Sequence, residues 1–188
     1  MPALAKLFCA LLTANVGQTI DTSPRVIFWA HYVDWVVTGP LIIACLAMLS
    51  KSDLVTLVFM MGITILKELS ALLGAMTVAP FKYMWWVASV AFYIVLVYLL
   101  IMRLNNAEGY GGQHLKTLTW LTIISWLVYP ILWIVGSEGT AALGLSQQVG
   151  FITITDLVAK LGFCGYLIFN FDEPQGDEPI NQSSQQYV

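Results

Sequence analysis

Five stretches of predominantly apolar residues dominate this chain, at roughly 26–49, 53–78, 81–104, 115–136 and 146–170. A helix of about 20 such residues crosses the hydrocarbon core of a bilayer. Lipid offers no partners for backbone N–H and C=O groups, so a spanning segment must bond within itself as a helix or close into a barrel. Runs this long and continuous predict an all-α, multi-pass integral membrane protein with five full transmembrane helices. Composition agrees: 59% of the 188 residues are hydrophobic and 10% charged, against about 45–50% and about 25% in soluble domains. The separators "SKSD", "VAPFK", "NNAEGYGGQH" and "GSEGTAALG" carry the Gly, Pro, Asn and charge that mark loops.

Residues 1–24 read as a partial helix, "ALAKLFCALLTANVG", followed by the loop "QTIDTSP". The apolar part is too short to cross a bilayer and lacks the basic start and cleavage site of a signal peptide. Residues 25–171 form the helix bundle. The tail at 172–188 is polar and Pro-containing, which predicts disorder. A net charge of -3, with Asp172, Glu173, Asp177 and Glu178 in the tail, argues against nucleic acid as a partner. Cys9, Cys45 and Cys164 are widely spaced in apolar stretches. They show no metal-ligand spacing, and each is expected to be a small buried hydrophobe. Lys51, Arg103 and Lys116 fall in loops on one side and Arg25 and Lys82 on the other, which puts the first set and the tail in the cytoplasm by the positive-inside rule.

Against this background the ionisable residues inside the spans stand out: His31 and Asp34, Lys67 and Glu68, Asp156 and Lys160. A charge at a helix centre costs about 2.5–3.5 kcal/mol or more, so such groups are expected to face a bundle interior and mark function. The bland alternative is a set of ion pairs that only hold helices together. Asp156 and Lys160 are related as i and i+4 and share a helix face. Asp34 and Thr38 have the same relation, and Cys45 lies about 16 Å further along that stripe. Lys67 and Glu68, as neighbours, point about 100° apart and are not expected to share a face.

A lysine in an apolar interior loses its charge by desolvation unless it is used chemically, for instance as a Schiff base with a carbonyl compound. The cation so formed needs counter-charges, and Asp34 and Asp156 can supply them. Trp126, Tyr129 and Trp133 recur at i, i+3 and i+7 and make one aromatic wall, while Trp35 and Trp86 offer flat surfaces on two other helices. Taken singly, each of these aromatics reads as a core or interfacial residue.

Three segments, "FWAHYVDWVVTGPL", "WLVYPILWIVGSEG" and "DLVAK", in this order and spacing, resemble the microbial (type 1), bacteriorhodopsin-like rhodopsins. The resemblance runs from about Arg25 to Phe171 and matches helices three to seven of a seven-helix bundle. The first helix and most of the second would then be missing, through truncation or in a bundle completed by association. It implies a retinal-binding domain at 25–171, with retinal covalently bound as a Schiff base on Lys160. Asp34 becomes primary counter-ion and proton acceptor, and Asp156 the second counter-ion. Trp35, Thr38, Trp86, Trp126, Tyr129 and Trp133 become chromophore-pocket residues. No metal site is implied.

Several positions depart from the family pattern. His31 stands where arginine is usual, Gly39 where a second threonine is common, and Cys45 where outward proton pumps keep a carboxylic donor. Gln148 replaces one of two paired acids, while Glu138 remains. The resemblance therefore implies a photoreceptor of the plasma membrane, not an enzyme, moving protons outward and slowly. The lipid bilayer and protons are its partners. A sensor acting on a signalling partner is the alternative, a structural protein without retinal the third reading, and homo-oligomerisation stays open.

Overall fold

The computed structural model describes residues 16–18, 26–105 and 110–171. Within them lie two short strands, β1 (Val16–Gln18) and β2 (Val26–Phe28), and five long helices. These are α1 (Trp29–Leu49), α2 (Leu54–Met76), α3 (Phe81–Asn105), α4 (Tyr110–Val135) and α5 (Leu145–Phe171). All five are long and apolar enough to cross a membrane. Their outer faces carry exposed Leu, Ile, Val and Phe, such as Val37, Leu41, Val58, Leu127 and Leu161, which suits helices surrounded by lipid.

Three boundaries differ from the sequence reading. Val26–Phe28 is a strand instead of the start of α1, and it pairs antiparallel with Val16–Gln18, Gly17 standing opposite Ile27. Val16 and Gly17 therefore do not continue a partial helix. The remainder of that expected helix and its loop, like the C-terminal tail, lies outside the described residues. The β-branched Val26 and Ile27 suit a strand, and Ile27 buries its side chain against Tyr32, Ala75 and Trp133. Finally, α4 begins at Tyr110, inside a segment that reads as loop. Hydropathy marks only the part of a helix that lies in lipid, and "YGGQH" extends α4 beyond it.

The helices pack in chain order, α1 on α2, α2 on α3, α3 on α4 and α4 on α5, with α4 also touching α1. The main core, including Ile43, Leu46, Met60, Leu96, Leu118 and Phe163, runs through the middle of this bundle. Polar residues in the spans largely satisfy themselves locally. The hydroxyls of Thr64, Ser70, Thr122 and Ser125 donate to carbonyls of Met60, Leu66, Leu118 and Leu121, one turn back. This removes the cost of an unpaired donor in lipid without tying helices together.

Two features fix helix ends. Asp53 caps α2, accepting from Thr56 N (3.1 Å) and Thr56 Oγ1 (2.7 Å), while Arg103 of α3 donates to Thr56 Oγ1 at 2.6 Å. These hydrogen bonds from Thr56, more than the Arg103 charge, hold the Asp53 carboxyl below its ordinary range. At the α4–α5 turn, a Cβ on Gly139 would collide with the Ile134 carbonyl oxygen. Only glycine fits this close backbone approach, which buries Glu138 at the mouth of the bundle.

Candidate functional site

Lys160 projects from α5 towards α1, where its Nζ contacts Asp34 Oδ2. Its i−4 neighbour Asp156 stands 3.9 Å away through Oδ1. The two carboxylates differ in how they are held. Asp156 Oδ1 accepts from Tyr129 Oη at 2.5 Å and from Trp35 Nε1 at 3.1 Å, donors on α4 and α1. The Trp35 and Tyr129 rings meet at 4.6 Å between centroids. Asp34 has no donor besides Lys160 among the described residues, because Thr38 Oγ1 bonds the Asp34 backbone carbonyl at 2.8 Å. One acid is thus clamped by neutral donors, and the other is paired with the amine alone.

Two adjoining cavities open from this point. The smaller, about 270 Å³, is lined by Lys160, Thr38, Gly39, Trp35, Tyr129 and Trp126 among others. Gly39 is explained here: a Cβ would approach Thr64 Cγ2 to 3.1 Å, so a larger residue would crowd α2. The larger cavity, about 410 Å³, shares the walls formed by Trp35, Glu68, Trp126 and Tyr129 and adds Trp86 and Trp133. The Trp86 indole is fixed by donating to the Pro130 carbonyl at 3.0 Å. All nine site residues read from the sequence therefore converge on one region, drawn from α1, α3, α4 and α5. Together the cavities form one continuous aromatic-walled path that begins at Lys160. An amine at one end, two acids beside it and aromatic walls fit a long conjugated aldehyde.

A third cavity, about 250 Å³, continues on the other side of Trp35 and Tyr129 to His31, Glu138 and Gln148. His31 stacks on Trp35 at 5.2 Å, and its Nε2 is buried without a partner among the described residues. The Gln148 amide donates to the Glu138 carboxylate, and Gln148 Oε1 accepts from Ser137 N at 2.8 Å.

Four expectations need correction. Lys67 and Glu68 do share a face: both line the aromatic cavity, and their charged atoms meet at 2.6 Å. The flexibility of two long side chains outweighs the 100° between their Cα–Cβ directions. Asp34 and Lys160 are not deep in an interior, since their side chains are 44% and 29% exposed along the edge between α1 and α5. Cys45 and Cys164 are exposed rather than buried; Cys9 lies outside the described residues. An apolar side chain in a membrane helix can face lipid as readily as protein. Lys82 belongs to the first turn of α3, and its ammonium donates to the carbonyls of Glu138 (2.9 Å) and Gly139 (2.6 Å). It is a buried structural cation, which weakens its use in a loop-charge count.

Sequence reading passed over Ser89 and Tyr93, which line the aromatic cavity with Trp86. The signal was present, because 86, 89 and 93 repeat the i, i+3, i+7 spacing of Trp126, Tyr129 and Trp133. Among the described residues no group of three or more His, Cys, Asp or Glu is placed to hold a metal.

A lysine flanked by two acids adjoins an aromatic cavity in a bundle of membrane-length helices, and the comparisons give this arrangement a family. The profile of the Bacteriorhodopsin-like protein family matches residues 3–172, and the chain belongs to that family. Archaerhodopsin-3 of Halorubrum sodomense is 36% identical over 173 residues, covering 89% of this chain and 65% of its own length. The chain thus spans just under two thirds of that relative. The structure of cyanorhodopsin from the cyanobacterium Calothrix superposes with a TM-score of 0.80 at 26% identity, over 88% of this chain and 73% of that one. Bromide-bound halorhodopsin from Halobacterium salinarum gives 0.81 at 25% identity, over 89% and 74%. Membership brings the family's cofactor, retinal, carried on a lysine as a Schiff base.

Proposed function

We propose that this chain is a light-driven ion transporter in which retinal sits on Lys160 and the transported ion is the proton. The carrying observation is the unequal pair of acids at Lys160. When bound, retinal supplies a light-driven change in the orientation and proton affinity of the Lys160 nitrogen. Everything else is done by side chains. Asp34, whose carboxylate has no hydrogen-bond or ion-pair partner besides that nitrogen among the described residues, accepts its proton. Asp156, held in place by the hydrogen bonds it accepts from Tyr129 and Trp35, serves as the second counter-charge. Proton transfer to Asp34 then leaves one fixed negative charge beside a neutral nitrogen.

Onward passage uses the third cavity, lined by His31, whose buried Nε2 has no hydrogen-bond partner among the described residues, and by Glu138 and Gln148. On the opposite side, Cys45 is exposed and carries no carboxyl group. Re-uptake therefore draws protons from bulk water, which makes turnover slow and slower as pH rises. A halide would meet two carboxylates at Lys160 and be repelled, which favours the proton over chloride.

Vesicles carrying the chain with retinal, illuminated with a pH electrode in place, test this. Expected is a pH change that survives replacement of chloride by sulfate and is lost in Asp34→Asn. A flux that requires chloride identifies a halide transporter instead. Spectral changes with no flux move the chain to the sensors.

A further inference from the structure

Lys67 and Glu68 are the only charged residues lining the aromatic cavity among those described, with 7% and 9% side-chain exposure. Their ion pair joins adjacent residues of one helix, and its charge reaches a neighbouring helix through the Trp126 ring of α4 rather than through an opposite charge. A buried pair of this kind costs desolvation that its mutual attraction often fails to recover. Its hydrogen-bonding capacity is also incompletely used. The Lys67 ammonium has three hydrogens. Its Nζ lies 2.6 Å from Glu68 Oε1 as an ion pair, and the Trp126 ring takes the charge on one side at 4.3 Å. The second Glu68 carboxylate oxygen has no hydrogen bond among the described residues, and no further acceptor meets Lys67.

Position along the cavity system adds direction. Glu68 lines both the cavity holding Lys160 and the aromatic cavity, whereas Lys67 lines only the latter. A ligand rooted on Lys160 Nζ that continues into the aromatic cavity passes Glu68 where the two cavities meet and has Lys67 beside its further part. A purely hydrocarbon end there would face a charged donor and a charged acceptor with nothing to offer either.

We propose that the Lys67–Glu68 pair is a receiving site for an oxygen substituent on the ring end of the retinoid, and that a hydroxyl is the preferred one. A hydroxyl donates to the Glu68 carboxylate and accepts from the Lys67 ammonium, meeting both needs at once. A keto oxygen can only accept, and so engages Lys67 alone. The expected order of capture is ring-hydroxylated retinal, then ring-keto retinal, then plain retinal. This rests on the reading of Lys160 as the attachment site.

The test is a competition on the full chain in lipid nanodiscs. Limiting amounts of equimolar all-trans-retinal, its ring-hydroxylated form and its ring-keto form are offered together. The bound aldehyde is fixed by borohydride reduction, and the adducts on Lys160 are counted by mass spectrometry. The hydroxylated adduct is expected to exceed the plain one by about tenfold, the equivalent of one charge-assisted hydrogen bond. In the double variant Lys67→Met with Glu68→Leu, which leaves no unpaired charge, the ratio should fall to about one. Equal adducts in the unsubstituted chain, or a preference that survives in the double variant, overturn the proposal while leaving the attachment site standing. If the double variant takes up no aldehyde, the three-way order in the unsubstituted chain decides alone. Absence of any Lys160 adduct sinks both this proposal and the reading it rests on.

Discussion

Two ion pairs lie within reach of the same cavities, and they are built in opposite ways. Lys67 and Glu68 are neighbours on α2 and almost fully buried, while Lys160 and Asp34 are 126 residues apart, on α5 and α1, and partly exposed. The first is local and costly to bury. The second is long-range, and α1 and α5 meet chiefly through it and through the Trp35–Asp156 bond. Burial decides how much a charge weighs on stability, whereas placement decides whether it can do chemistry. The pair that matters most to folding is thus not the pair that carries the proposed function.

The largest effect should come from the exposed pair. Lys160→Ala is expected to abolish the visible absorption band formed with all-trans-retinal while leaving the helical circular dichroism in place. An unchanged band would mean that the attachment site is another lysine, with Lys67 the obvious suspect inside the cavity.

Next comes the buried pair, where the comparison makes its sharpest demand. Glu68→Leu strands the Lys67 charge and should destabilise the bundle by about 3–5 kcal/mol, whereas the double variant with Lys67→Met should be close to neutral. Unfolding followed by tryptophan fluorescence distinguishes them. Equal losses in both would show that packing, not charge, is what the pair contributes.

Asp34→Asn should reverse this pattern. A partly exposed pair contributes about 0–1 kcal/mol, so stability hardly changes. The band, however, should move to longer wavelength, because the ground state loses more of the stabilisation given to its cationic nitrogen than the excited state does. If Asp156→Asn moves the band strongly and Asp34→Asn does not, the two acids have exchanged roles.

The smallest effect lies at the α2 cap. Asp53 has its carboxyl held below the ordinary value of 3.8 by Thr56. Its contribution to stability is therefore complete above that pH and lost as pH falls through the lowered value. Asp53→Asn should remove this acid-side dependence without touching the spectrum. A spectral change would mean that the cap communicates with the cavities.

Much of this protein is determined by its sequence alone. Apolar runs long enough to cross a bilayer permit little besides helices, because lipid accepts no backbone hydrogen bonds, and the four helix ends flanking "SKSD" and "VAPFK" lie close to where the apolar runs break. The spacing of Asp156 from Lys160, and of Trp126 from Tyr129 and Trp133, places each set on one helix face by geometry that needs no partner helix. What the sequence could not give is the relation between faces on different helices. The pairing of Lys160 with Asp34 is readable only through the family resemblance. That Asp156 is the acid clamped by Tyr129 and Trp35, and that Lys82 seals the Glu138 turn, depend on how α1, α3, α4 and α5 are set side by side. Lys67 and Glu68 show the same limit within a single helix. The periodicity of Cβ directions separates them, but long side chains bend back towards whatever cavity the neighbouring helices leave, and only the packed bundle supplies that cavity.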